Sequence, residues 1–169
     1  MDSTIASPTK NEKRTATTQL LLNIITSLLI LLWTYTAFSK LADLKEFQSQ
    51  LNNQVFSDST AQILLWSIPT SELLAAALLL FERTKTAGLI TSALLMTAFT
   101  GYIALVLAGY YQKVPCSCGG VLKQLGWQAH LWFNLFFLAL SITGSMLHKK
   151  HYKNAATPTN QKHQPPLGI

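Results

Sequence analysis

Residues 61–81 read Ala61-Gln62-Ile63-Leu64-Leu65-Trp66-Ser67-Ile68-Pro69-Thr70-Ser71-Glu72-Leu73-Leu74-Ala75-Ala76-Ala77-Leu78-Leu79-Leu80-Phe81. A helix of about 20 such residues crosses a hydrocarbon core of about 30 Å. Counted from Ala61 at about 1.5 Å rise per residue, Glu72 lies about 16 Å into the span, near the midplane. A carboxyl group there is costly and marks a candidate functional site. The bland alternative is a protonated Glu72 hydrogen-bonded to a neighbouring helix. Pro69, with no N–H to give, is expected to kink the helix.

Three further runs have the same character: Thr17–Phe38, Thr86–Ala108 and Ala129–Leu147. The chain is 12% charged and 49% hydrophobic, whereas soluble domains carry about 25% charged residues. The expectation is an all-α integral membrane protein, a four-transmembrane-helix bundle over residues 17–147. Residues 1–16 and 148–169 are polar, basic tails and read as disordered. The net charge of +6 is spread over tails and loops, so it reads as a topology signal rather than a nucleic-acid surface. Met1–Ala16 does not read as a signal peptide, so the first span is expected to stay as a helix or signal anchor.

Lys10, Lys13, Arg14, Arg83, Lys85, Lys149, Lys150, Lys153 and Lys162 fall on one side of the bundle. Lys40, Lys45, Lys113 and Lys123 fall on the other. The positive-inside rule puts both termini in the cytoplasm. The loop between the third and fourth spans then faces the periplasm, and the chain reads as a multi-pass protein of a bacterial inner membrane.

That loop contains Val114-Pro115-Cys116-Ser117-Cys118-Gly119-Gly120, with the sequence's two cysteines. A disulfide across one intervening residue closes a tight ring, and its geometry is demanding. Strained, exposed disulfides are the ones that exchange readily, and the periplasm allows them to form. Pro115 fixes φ before the pair and Gly119-Gly120 frees the backbone after it. Spacing alone leaves three readings open: a redox pair, half of a metal site, or two unreacting thiols.

In the first span, Asn23, Ser27 and Thr34 are expected to face other helices. Lys40, at its outer end, reads most simply as snorkelling to the interface; the functional alternative is a cation near the thiols. Between Ser39 and Thr60, Leu41, Leu44, Phe47 (or Gln48), Leu51 and Val55 recur at helical spacing. They predict a short amphipathic helix on the outer membrane surface, broken near Asn52-Asn53. In the third span, Ala93, Thr97, Gly101 and Gly109 suggest a close-packing seam. The fourth span opens with Trp127-Gln128-Ala129-His130-Leu131-Trp132-Phe133-Asn134. His130 and Asn134 share a face one turn apart, Trp127 and Trp132 suit the interfacial belt, and His130 is expected near the outer surface. Asn134 and His130 are the expected partners of an inward-facing Glu72.

Ser39-Lys40-Leu41, Ile68-Pro69-Thr70-Ser71-Glu72, Pro115-Cys116-Ser117-Cys118-Gly119-Gly120 and Trp127–Asn134 together resemble the methylamine-utilisation MauE family. The likeness spans about residues 17–147 and groups the chain with DoxX-like redox-associated membrane proteins. The resemblance implies thiol–disulfide exchange with a periplasmic thioredoxin-like partner, in support of disulfide formation and maturation of methylamine dehydrogenase. Cys116 and Cys118 would then be the catalytic pair of a thiol–disulfide oxidoreductase. Glu72, Lys40, His130 and Asn134 would support thiolates or protons. Cys-Ser-Cys departs from the Cys-x-x-Cys of thioredoxins, and no second pair is present to relay electrons across the membrane. A quinone would supply an acceptor, although no sequence feature marks a quinone site, and no resident metal is expected. The competing classes are a thiolate metal-handling membrane protein and a non-redox membrane assembly factor.

Overall fold

The computed structural model describes residues 10–52, 57–110 and 126–156. Five helices make up almost all of them: α1 (Lys10–Ala42), α2 (Leu44–Asn52), α3 (Asp58–Leu80), α4 (Lys85–Leu107) and α5 (Trp127–Ala156). Among the described residues there is no strand. Four helices are long and apolar enough to cross a membrane: Arg14–Ala42, Asp58–Leu80, Lys85–Leu107 and Gln128–Lys150. α1 starts at Lys10 and α5 continues to Ala156, so both helices reach into the segments expected as disordered tails.

Local chemistry sets the corners. Asp43 caps α2, its carboxylate accepting from the Glu46 N–H at 3.1 Å. Ser57 caps α3 through the Thr60 N–H, satisfying a donor that a helix start leaves free. α3 runs without interruption through Pro69. At its far end Thr84 Oγ1 donates to the Leu78 carbonyl at 2.8 Å, tying the Glu82–Lys85 turn to α3. α4 stops at Gly109, whose φ of 73° lets the Tyr110 N–H reach back to the Leu105 carbonyl at 3.1 Å. This is a glycine C-cap. Gly109 is therefore a helix stop and not part of a packing seam.

α1 packs on α3 and α5, and α4 packs on α3 and α5, so α1 and α4 lie across the bundle from each other. The contacts run in register. Ile25, Leu79 and Leu89 sit at one level with Gly144 and Gly88. Trp33 and Ser92 meet in the middle, and Lys40 meets Glu72 beyond them. Residue numbers thus rise along α1 and α4 and fall along α3 and α5, an up-and-down bundle. One end holds the Glu82–Lys85 turn. From the other end residues 111–125 leave α4 and return to α5.

The closest approaches use glycines that the sequence reading did not select. A Cβ on Gly88 would lie 2.8 Å from the Leu79 backbone nitrogen, and one on Gly144 would lie 3.0 Å from Leu89 and 3.1 Å from Ile25. The expected seam of α4 instead faces outward at Thr97 and Gly101. Asn23 and Ser27 of α1 are also exposed, and Thr34 is half-buried. The inward stripe of α1 is Leu22, Ile25, Thr26, Leu29, Leu32, Trp33, Thr36, Ala37 and Lys40. Exposed Leu31, Ile63, Leu94 and Met146 cover the outside. Lipid solvates such side chains as well as other helices do, so shape and hydrogen bonding decide which stripe turns inward. α2 forms where the periodicity predicts it. Its Phe47 and Leu51 are buried against Ala61 and Leu65 of α3, so its apolar face packs on the bundle.

Candidate functional site

α1 ends in Thr36-Ala37-Phe38-Ser39-Lys40-Leu41-Ala42, with Lys40 one turn beyond Thr36 on the inward stripe. The Lys40 ammonium donates to Glu72 Oε1 at 2.7 Å and to the Thr36 carbonyl at 3.2 Å. The side chains are 4% and 1% exposed, so this is a fully buried ion pair. The Phe47 ring of α2 lies 6.0 Å from Nζ. Snorkelling is thus corrected: Lys40 turns inward. The pair is shielded from bulk solvent, and pairing neutralises both charges where lipid would solvate neither.

Glu72 faces the interior, as its depth demands. Its ion-pair partner is Lys40, not the expected His130 or Asn134. Those two residues are nevertheless beside it. Glu72, His130 and Asn134 line one cavity together with Leu32, Trp33, Thr36, Met96, Phe99 and Phe133. His130 and Asn134 are 2% and 4% exposed, so His130 points into the bundle rather than out of it. Its place in the first turn of α5 puts it at the loop end of the bundle, but the helix turns it inward. Trp132, on another face, is exposed and suits a lipid interface.

Trp33, Ser92, Thr36 and Thr100 belong to the same polar interior and were not singled out from sequence. Trp33 is 1% exposed, and its indole N–H donates to Ser92 Oγ at 2.9 Å across the bundle. Its ring centroid lies 6.2 Å from that of Phe99. A tryptophan in the middle of a span, away from the interfacial belt, was the available signal, because its N–H must find an acceptor.

Cys116, Cys118, Lys113 and Lys123 lie outside the described residues, as do Asn53, Val55 and the side chain of Trp127. What is described is the anchorage of the cysteine segment. It leaves α4 after Gly109-Tyr110 and rejoins α5 at Trp127, three residues before His130. The polar cluster therefore belongs to the end of the bundle that carries the cysteines.

The family profile of Methylamine utilisation protein MauE matches residues 18–147, from the first turns of α1 to the last spanning turns of α5. The chain belongs to the MauE family. No curated protein and no solved structure matches it. Every residue of the cluster lies within the MauE match, as do both cysteines. This places the chain among membrane proteins associated with methylamine utilisation.

Proposed function

We propose that this MauE family member is a membrane thiol–disulfide redox protein in which Cys116 and Cys118 exchange with a thioredoxin-like partner outside the membrane. Exchange would serve maturation of an exported protein, with methylamine dehydrogenase as the case the family name suggests. On this reading the chain is a DoxX-like protein of a bacterial inner membrane, with cytoplasmic termini and the cysteine loop in the periplasm.

The observation that carries the proposal is the gathering of Lys40, Glu72, His130 and Asn134 at the end of the bundle from which the cysteine segment extends. A bundle that needed only to stand in the membrane would be as well served by apolar residues at these positions. Ionisable groups inside a membrane are characteristic of sites that move protons or charge. Thiol–disulfide exchange needs such groups, because the attacking species is the thiolate.

In one direction, a thiolate of the dithiol form attacks the partner's disulfide, giving a mixed disulfide and releasing one partner thiolate. The second cysteine displaces the other, leaving a Cys116–Cys118 disulfide and a reduced partner. Two electrons pass to the partner, and two protons must leave this pair. With Lys40 already neutralised by Glu72, thiolate or proton support from the described residues falls to His130.

The test is a pair of single variants, Cys116→Ser and Cys118→Ser, expressed with candidate thioredoxin-like partners and examined under non-reducing conditions. Both variants should lose turnover. The one that keeps the attacking thiol should accumulate a mixed disulfide, since the resolving thiol is gone. Full maturation of the partner by both variants, with no adduct, defeats the redox reading and leaves an assembly factor.

A further inference from the structure

We propose that Glu72, His130 and Asn134 hold a buried water molecule, and that this water links the Glu72 carboxyl to the His130 imidazole as a proton-transfer path. The proposal does not depend on the cysteine chemistry, and its test is made on the resting protein.

Four buried side-chain atoms find no hydrogen-bond partner among the described residues: Glu72 Oε2, Thr100 Oγ1, His130 Nε2 and Asn134 Nδ2; Thr100 stands apart from the cavity, and the other three define the site. Those three residues are 1%, 2% and 4% exposed. They come from two helices, α3 and α5, and all three line the same cavity. Buried polar groups in folded proteins are almost always satisfied by protein or by ordered water. In a bundle surrounded by lipid, bulk water does not stand in.

The cavity offers ≈ 10 Å³ to the centre of a water-sized sphere, room for about one water molecule. Its remaining walls are mostly apolar: Leu32, Trp33, Met96, Phe99 and Phe133. An internal water typically makes about three hydrogen bonds, and three unpartnered atoms surround this space. Their chemistry is complementary to water. Asn134 Nδ2 only donates, Glu72 Oε2 accepts when ionised, and His130 Nε2 does either according to its tautomer and charge. A metal cation fits poorly. The Lys40 ammonium already occupies the other oxygen of the carboxylate at 2.7 Å, and an amide nitrogen offers donors rather than a lone pair.

One water in this position completes a proton path. It accepts from Asn134 and donates to Glu72 Oε2. When His130 is charged, its Nε2–H donates to the water. Transfer breaks the Nε2–H bond and forms an O–H bond on the water. The water's own proton passes to Glu72 Oε2, leaving neutral imidazole and neutral carboxylic acid. One proton moves and no electron does. Lys40 holds Oε1, so Oε2 is the oxygen free to take the proton. The charged and titratable groups around the water are Lys40 from α1, Glu72 from α3 and His130 from α5, while α4 contributes Met96 and Phe99 to the wall.

The test uses the full chain in lipid nanodiscs. Infrared difference spectra across the His130 titration should show a water O–H band that shifts in ¹⁸O-labelled water. The Glu72 carboxyl band should change in step, and ¹⁵N-histidine spectra should show His130 Nε2 hydrogen-bonded. Asn134→Leu, which fills the cavity, should abolish the water band, and Glu72→Gln should uncouple the His130 titration from any carboxyl signal. A high-resolution structure of the unaltered chain provides a check that needs no variant: a solvent peak within hydrogen-bonding distance of all three atoms. Direct contacts among the three atoms with no solvent peak between them overturn the proposal. So does a water band unchanged in Asn134→Leu.

Discussion

Lys40 on α1 and Glu72 on α3, 32 positions apart in sequence, form an ion pair at 2.7 Å with both side chains almost wholly buried. The bond joins the end of one membrane-spanning helix to the middle of another, directly beside the cavity that His130 and Asn134 line. It makes a charged interior neutral as a whole. The groups next to it then keep hydrogen-bonding capacity without carrying the cost of an isolated charge.

Breaking this pair from one side should be far more damaging than removing both halves. Lys40→Met or Glu72→Leu leaves one buried group without its partner, and about 3–5 kcal/mol of stability should be lost. The double variant Lys40→Met/Glu72→Leu should recover much of that loss. Unfolding in detergent across the four proteins of this cycle measures the coupling. Additive single effects would mean that the pair is not formed in the membrane.

Gly88 and Gly101 lie on the same helix and should respond oppositely to one methyl group. A Cβ on Gly88 meets the Leu79 backbone nitrogen at 2.8 Å, whereas one on Gly101 meets nothing within 4 Å. Gly88→Ala must push α3 and α4 apart and should cost about 1–3 kcal/mol, as overpacking does. Gly101→Ala should be neutral or slightly stabilising, since alanine is the better helix former. Thermal unfolding of the two variants side by side distinguishes them.

The Trp33–Ser92 bond should be worth more than its modest net strength suggests. Ser92→Ala removes the acceptor of a buried indole N–H, at about 1–3 kcal/mol. Trp33→His or Trp33→Phe changes shape as well, so Ser92→Ala is the cleaner probe. Ser92→Thr, which keeps a hydroxyl, should retain more of the stability. Equal losses in the alanine and threonine variants would point to packing alone.

The orientation proposed for the chain is checked by chemical access. A membrane-impermeant maleimide applied to intact spheroplasts should label reduced Cys116 and Cys118. Labelling that appears only after permeabilisation, on protein shown to be reduced, would reverse the topology.

The sequence by itself determined the four spans, because a run of about 20 apolar residues in lipid satisfies its backbone only as a helix. It determined the helical character of residues 44–52 through the spacing of Leu44, Phe47 and Leu51. It also marked Glu72 as an inward group, since a carboxyl at that depth has nowhere else to go. The motifs around Lys40, Glu72, Cys116, Cys118 and His130 were enough to identify the family. Tertiary structure decided which face of each helix turns inward and who pairs with whom. Asn23, Ser27 and Thr97 looked like interior residues and lie outside, while Trp33, Ser92 and Gly88 define the interior. In water the apolar face of a helix declares itself; in lipid both faces are apolar, and the inward one is chosen by shape and by hydrogen-bond partners on other helices. Lys40 shows the same limit most clearly. Read along its own helix it belongs at the interface, and only the approach of α3 brings a carboxylate within 2.7 Å to hold it inside.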